Sequence, residues 1–353
     1  MRSCCYLLLF LCLATAPLAC QLNTTGTSAQ LLKTAEAGDA QAQFELGRAY
    51  EDGKGVPQDD ALAVEWFRKS AEQGNAQAQN SLGVMCALGR GVPRDREEAV
   101  RWYKKAAKQG MTEAIYNVAT SYYNGEGIGE DTSLAYAWMM AAQKRGDAQA
   151  AEALQHMREA LHDQLEFGQL DLARLYEKGD EIPQDMHAAV ALYLDAANLK
   201  PDPWITEVRY KVCLFYIDGT VVPQDYGQAR SWCKKSGSAQ SIFVLGRLAE
   251  KGLGGDKNSK EAMDYYRKAA ALNLPEACME AGRLQSESGS HEGEKKAYFW
   301  YAIAAERRAV GAAEKLQAAA SHLSEKEITE QQKQVMKWLL MRDWMRDSEA
   351  KKH

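Results

Sequence analysis

The stretch Leu46-Gly47-Arg48-Ala49-Tyr50-Glu51-Asp52-Gly53-Lys54-Gly55-Val56-Pro57-Gln58-Asp59, followed by Ala63-Val64-Glu65-Trp66-Phe67-Arg68-Lys69-Ser70-Ala71, decides the fold. It reads as helix, glycine turn, helix. The first helix follows Asp39, whose carboxylate can accept hydrogen bonds from the orphan amides of the first turn. It stops at Gly53, since glycine takes the left-handed conformation without steric cost. Gly55 lets the chain reverse tightly, and Asp59 opens the second helix as a cap or first-turn anion. Ala63 lets the two helices approach closely, and Trp66-Phe67 fill the groove between neighbouring units.

The pattern then recurs. Thirty-six residues later stand Leu82-Gly83, Gly89-Arg90-Gly91-Val92-Pro93, Asp95, Ala99, Trp102-Tyr103 and Ala106-Ala107. After the same interval come Gly125-Glu126-Gly127, Asp131, Ala135, Trp138 and Ala141-Ala142. Self-similarity at this period predicts an all-α fold, an α-solenoid of stacked helix-turn-helix units. Units 40–75, 76–111 and 112–147 follow without gaps, with Asp39, Asn75 and Thr112 as expected caps of their first helices. Ser28 to Ala37 reads as a lone helix covering the open end.

Ala148 to Asp163 is helical in pattern but lacks the Gly-x-Gly turn, so the array slips by half a unit. It resumes at Leu172-Ala173-Arg174-Leu175-Tyr176, with Gly179, Pro183 and Asp185 in place. Later units carry Tyr216, Gly219 and Asp225, then Leu245-Gly246-Arg247 with Tyr265-Tyr266, then Ala281-Gly282-Arg283 with Ala297-Tyr298-Phe299-Trp300-Tyr301. The expected organisation is a leader over 1–20, a polar lead-in over 21–27, and units one to three with capping helices over 28–163. Units four to seven follow over 164–323, and a closing helix over 324–353. That helix opens on Ser324-Glu325-Lys326-Glu327, a capping box, and places Ile328, Val335, Trp338, Leu339 and Met345 on one face.

These residues resemble Sel-one-like repeats, relatives of tetratricopeptide repeats with a longer period. The likeness rests on Leu-Gly-x-x-Tyr-x-x-Gly-x-Gly-Val-x-x-Asp and Ala-x-x-Trp-Tyr-x-Lys-Ala-Ala, and covers most of residues 28–323. It implies a right-handed superhelix whose first helices line a concave, partner-binding surface. It also implies, for bacterial members, exported scaffolds of envelope assembly, signalling or host contact.

At the N-terminus, Arg2, the apolar run Tyr6 to Leu13 and the small residues Ala14-Thr15-Ala16 predict a secretory signal peptide and hence an exported protein. Pro17-Leu18-Ala19-Cys20 resembles a lipobox with proline where leucine is usual, so Cys20 is a lipidation candidate and a possible membrane attachment. A periplasmic or outer-membrane lipoprotein and a secreted protein both fit this leader. Cys213 takes the place of Gly47 and Cys233 that of Phe67, at similar heights on the two helices of one hairpin, which makes them a disulfide candidate. Cys86 replaces Tyr50 and reads as a small core residue.

A net charge of -5 argues against a nucleic-acid binder. The six histidines offer no i, i+4 pair, and there is no Cys-x-x-Cys, so neither metal nor cofactor is expected. Ser231-Trp232-Cys233-Lys234 matches the Ser-x-x-Lys of penicillin-recognising enzymes without its companion motifs. A cell-wall or β-lactam hydrolase is therefore the weaker alternative to a non-enzymatic scaffold for a protein or peptide partner. Candidate contacts are Arg48, Glu51, Asn117 and Thr120, where equivalent positions differ between units, and Trp338 and Trp344 in the tail. The apolar stretch 335–345 suggests a third reading, attachment to a membrane surface through the closing helix.

Overall fold

The structure, a computed structural model, describes the backbone of residues 26–161, 165–199 and 204–350, with side chains within 29–159, 167–199 and 204–341. The described residues are all helix, turn and loop. Two compact units arise. One runs to Gly168 and includes Lys178–Gln184; the other holds Gln169–Glu177 and the chain from Asp185 onward.

The first unit contains α1 (Gly26–Glu36), α2 (Ala40–Asp52), α3 (Asp60–Glu72), α4 (Ala76–Leu88), α5 (Arg96–Lys108), α6 (Thr112–Asn124), α7 (Thr132–Lys144) and α8 (Ala148–Leu161). The helix α9 (Leu165–Lys178) carries residues of both units. The second unit continues with α10 (Met186–Ala197), α11 (Ile205–Asp218), α12 (Tyr226–Ser236), α13 (Ala239–Lys251), α14 (Ser259–Ala271), α15 (Pro275–Ser286), α16 (His291–Glu306), α17 (Ala312–Ala320) and α18 (Glu325–Ala350).

The hairpins before α15 are closed in the same way. The amide of the second helix's cap donates to a first-helix carbonyl: Asp59 to Tyr50 at 3.0 Å, Asp95 to Cys86 at 3.0 Å, Asp131 to Tyr122 at 3.1 Å and Asp225 to Tyr216 at 3.0 Å. The cap's carboxylate meanwhile accepts from amides of its own helix, as Asp59 does from Ala61 and Leu62. At the first helices, Asp39 and Asn75 cap as the spacing predicts. Thr112 does not. It is the first residue inside α6, the capping position falls on Met111, and no side chain caps that helix. A one-residue offset suffices, because a cap needs extended backbone and Thr112 is already helical.

Within a hairpin, glycine faces a ring. A Cβ on Gly47 would lie 2.6 Å from the Phe67 ring, one on Gly83 2.6 Å from Tyr103, and one on Gly246 2.5 Å from Tyr266. The missing side chain lets the ring lie flat on the opposite backbone. Phe67 is thereby fully buried, which is worth on the order of 2–3 kcal/mol. Between hairpins, the second turn glycine does more than reverse the chain. A Cβ on Gly91 would sit 2.1 Å from the Asp60 carbonyl oxygen of the preceding unit, and one on Gly127 2.1 Å from that of Arg96.

A buried glutamine relay adds to the stacking of the first unit. Gln43 donates to the Ala35 carbonyl at 3.1 Å and accepts from Gln73 at 2.7 Å; one unit on, Gln79 donates to Ala71 at 3.0 Å and accepts from Gln109 at 2.8 Å. These bonds satisfy side chains that would otherwise be costly to bury.

In the second unit, α18 docks on α16. Val335 is buried, and Ile328, Trp338 and Leu339 pack against the same core. The capping box forms, with the Ser324 amide donating to Glu327 at 3.0 Å. Met345 belongs to α18, but its side chain lies outside the described residues.

Candidate functional site

The predicted contact residues fall into three groups. Arg48 has no tie to another repeat: its side chain is 57% exposed and pairs at 3.8 Å with Asp52 on the same helix. It lines an open groove of about 490 Å³ on α2, with Gln41, Phe44, Glu45 and Asp52, bordered by Gln77 of α4. These residues recur every three or four positions and so share one helix face. Sequence reasoning singled out Arg48 alone; the signal for the others was the same, since Phe44 is replaced by Asn80 and Tyr116 one and two units later.

Glu51, Asn117 and Thr120 are engaged within the array. Glu51 accepts from Arg90 of the next unit at 3.1 Å, and Arg90 also donates to Asp60 at 2.8 Å. The same acid, two residues before the turn glycine, is tied in other units. Glu177 accepts from Lys211 and from the Tyr193 hydroxyl, and Glu250 from Arg283 at 2.6 Å and from Tyr266 at 2.7 Å. Burial opposes the charge of Glu250, but the bonds from Arg283 and Tyr266 outweigh it and lower its pKa. Burial, reinforced by the Glu250 contact, raises that of Tyr266. Asn117 donates to Asn80 at 2.9 Å, and the Thr120 hydroxyl donates to the Tyr116 carbonyl at 3.1 Å.

In the tail, Trp338 is held inside the closing core. Its ring meets Trp300 edge-on at 6.2 Å, and the Arg307 guanidinium lies 4.9 Å from its centroid. The Trp344 side chain, Cys20 and the signal segment lie outside the described residues. What α18 exposes instead is Met336, Leu340 and Met341, flanked by Lys333 and Lys337. Among the described residues no helix is long and apolar enough to cross a membrane.

Cys213 and Cys233 are joined, with Cα atoms 5.4 Å apart. They stand where glycine and ring stand elsewhere. Cys86 and Cys278 are buried and free; burial pushes their thiols up to about 11 and about 12 respectively. Ser231 and Lys234 are exposed on α12. The repeating feature there is one residue further on: Lys235 lies over Trp232 at 4.0 Å, as Lys105 lies over Trp102 at 3.7 Å and Lys69 over Trp66 at 3.9 Å. Ser231 and Lys234 take no part in that pair. Among the described residues no cluster of His, Cys, Asp and Glu could hold a metal ion.

Comparison with known proteins places this geometry. The model of the Sel1 repeat family matches residues 40–75, 76–111, 112–147, 167–201, 206–241, 239–274 and 275–308. The chitin synthase regulator SKT5 of Saccharomyces cerevisiae is 33% identical over 105 residues, covering 28% of this chain and 14% of the regulator. The chain thus matches about one seventh of that relative's length. Among solved structures, a Sel1 repeat protein from Oxalobacter formigenes is 40% identical, over 36% of this chain and 96% of that one, with a TM-score of 0.34. A protective antigen of uropathogenic Escherichia coli displaying an SLR fold is 22% identical, over 88% of this chain and 94% of that one, with a TM-score of 0.33.

Proposed function

The chain belongs to the Sel1 repeat family, whose members mediate protein–protein interactions and are typically non-enzymatic scaffolds. From that premise we propose that it is itself a non-enzymatic scaffold, exported to the cell envelope or secreted, which holds a protein or peptide along the first helices of its first unit. The observation that carries the reading is a division of labour. Turn glycines, second-helix rings and the acids at first-helix ends are consumed by stacking. On the face Gln41, Phe44, Glu45, Arg48, Phe44 is packed on Phe67 and Gln41 accepts from Asn75 of the next repeat, but Glu45 and Arg48 line the groove with no tie to a neighbouring repeat. Cys213 and Cys233, bridged, and the leader-like N-terminus support an oxidising, exported setting. Cys20 is the residue through which a lipid would attach it. The yeast relative's name, a regulator of an enzyme, accords with action through a partner.

The test is affinity capture from the native envelope with the intact chain and with Arg48→Glu. A co-purifying protein lost by about tenfold or more on the charge reversal supports the proposal. Equal recovery by both chains, or turnover of peptidoglycan or a chromogenic lactam abolished by Ser231→Ala, overturns it. A second reading, attachment to a membrane surface, is favoured by Met336, Leu340 and Met341 beside Lys333 and Lys337. Unchanged flotation with liposomes on removing residues 335–353 rejects it.

A further inference from the structure

We propose that the trough between α14, α16 and the start of α18 is a separate binding site for an extended acidic peptide with apolar residues at alternate positions. The trough encloses about 1140 Å³. It exists because α18 docks on α16 through Val335, Ile328 and Leu339 and thereby raises a wall beside the second helices. Its floor carries apolar side chains among polar ones. Phe299 and Trp300 meet edge-on with centroids 5.1 Å apart, and Met263 extends the surface.

The rim is charged, and its pairing is uneven. Glu292 is engaged by Lys295 at 3.1 Å and Lys296 at 3.6 Å. Glu327 is engaged by His291 at 2.8 Å and by the Ser324 cap. What remains on the rim is Arg267, Lys326 and Lys333, all exposed and with no acidic partner within salt-bridge distance, against Glu330 alone. Several arginines elsewhere are ties between repeats: Arg68 to Glu98, Arg90 to Glu51 and Asp60, Arg230 to Glu261, Arg283 to Glu250. In a chain of net charge -5, three unpaired cations around one trough make a local field of the opposite sign to the whole, which attracts an anion.

The shape selects the anion. The three cations stand apart on two helices, so they cannot converge on one inorganic ion, which would also leave the aromatic floor bare. From Ser324 to Gln334 the α18 wall runs about 15 Å at about 1.5 Å per residue, room for about five residues of extended chain. An extended peptide points successive side chains to opposite sides. Apolar residues can then cover Phe299 and Met263 while the intervening carboxylates, all turned to the mouth of the trough, face the cations that flank it, Arg267 on one rim and Lys326 and Lys333 on the other. The site is remote in sequence from the Arg48 groove, so the two proposals stand or fall separately.

Fluorescence anisotropy with the intact chain tests this, using a fluorescein-labelled octapeptide of alternating glutamate and leucine and its glutamine–leucine counterpart. The acidic peptide is expected to bind with a Kd on the order of 10–100 μM, and the neutral one about tenfold more weakly. Lys326→Glu/Lys333→Glu should weaken the acidic peptide by about tenfold or more, Lys326→Gln/Lys333→Gln by less, and Arg48→Glu not at all. Raising salt from about 0.05 M to about 0.5 M should weaken it too. Equal binding of the two peptides, binding indifferent to both double variants, or no binding of the acidic peptide overturns the proposal. Unchanged helicity by circular dichroism confirms that the variants are folded.

Discussion

The Cys213–Cys233 bridge occupies a position where most other repeats pack a ring on glycine, and that substitution can be tested in both directions. The sequence separation is 20 residues, for which loop-closure entropy gives a stabilisation of about 3 kcal/mol. Cys213→Ala/Cys233→Ala removes the cross-link and leaves small side chains facing each other. Its α11–α12 hairpin should open more readily by about that amount, a rise of about two orders of magnitude in amide exchange. Cys213→Gly/Cys233→Phe also removes the cross-link but restores the glycine-and-ring packing seen at Gly47 and Phe67. Burying the new ring is worth about 2–3 kcal/mol, so this variant should recover most of the loss. The readout is hydrogen exchange by mass spectrometry over residues 205–236, without reductant, because repeat arrays open locally and a whole-chain midpoint would blur the effect. Equal protection of the alanine variant and the parent would refute the stabilising role of the bridge. A glycine–phenylalanine variant no better than the alanine one would refute the equivalence of the two packings.

Two further outcomes follow from the packing. Gly91→Ala should cost about 3 kcal/mol or more, combining left-handed strain with overlap on the Asp60 carbonyl, whereas Gly129→Ala, with open space around it, should be within about 0.5 kcal/mol of neutral; exchange rates over α2–α5 distinguish them. The Ser324 amide and hydroxyl, with His291, lower the Glu327 pKa from 4.5 to about 2. Because the folded value is depressed, its contribution to α18 docking is complete above pH 4.5 and is lost as pH falls towards about 2. Exchange of α18 should rise over that window in the parent, and the Glu327→Gln variant should lack this component.

How much of this was legible in the sequence depended on whether an interaction repeats with the period or jumps across it. Asp59, Asp95, Asp131 and Asp225 were readable as second-helix caps because each acts on its own helix a few residues away. Gly47 and Phe67, or Cys213 and Cys233, were readable as facing pairs because both members lie in one hairpin. Glu51 was misleading for the opposite reason. Its partner is Arg90, while the equivalent Glu177 uses Lys211 and Glu250 uses Arg283. The acid is tied in each of these units but to a cation at a different place, Arg90 in a turn and Lys211 and Arg283 within first helices, so variation at the partner positions imitates the variation expected of a binding face. Gly91 shows the same limit: its left-handed turn was evident locally, but its contact with Asp60 belongs to the previous unit. The α14–α16–α18 trough was beyond reach altogether, since its cations Arg267, Lys326 and Lys333 become neighbours only when α18 folds back onto α16. Variation between units is therefore informative about binding only after the inter-unit ties have been subtracted. By that criterion Arg48 remains a candidate for partner contact, while Glu51 and Asn117 become candidates for stability. Glu51→Gln should loosen the stack while leaving partner capture intact, and Arg48→Glu should do the reverse; a Glu51→Gln variant that abolishes capture without raising exchange over α2–α5 would defeat this separation of roles.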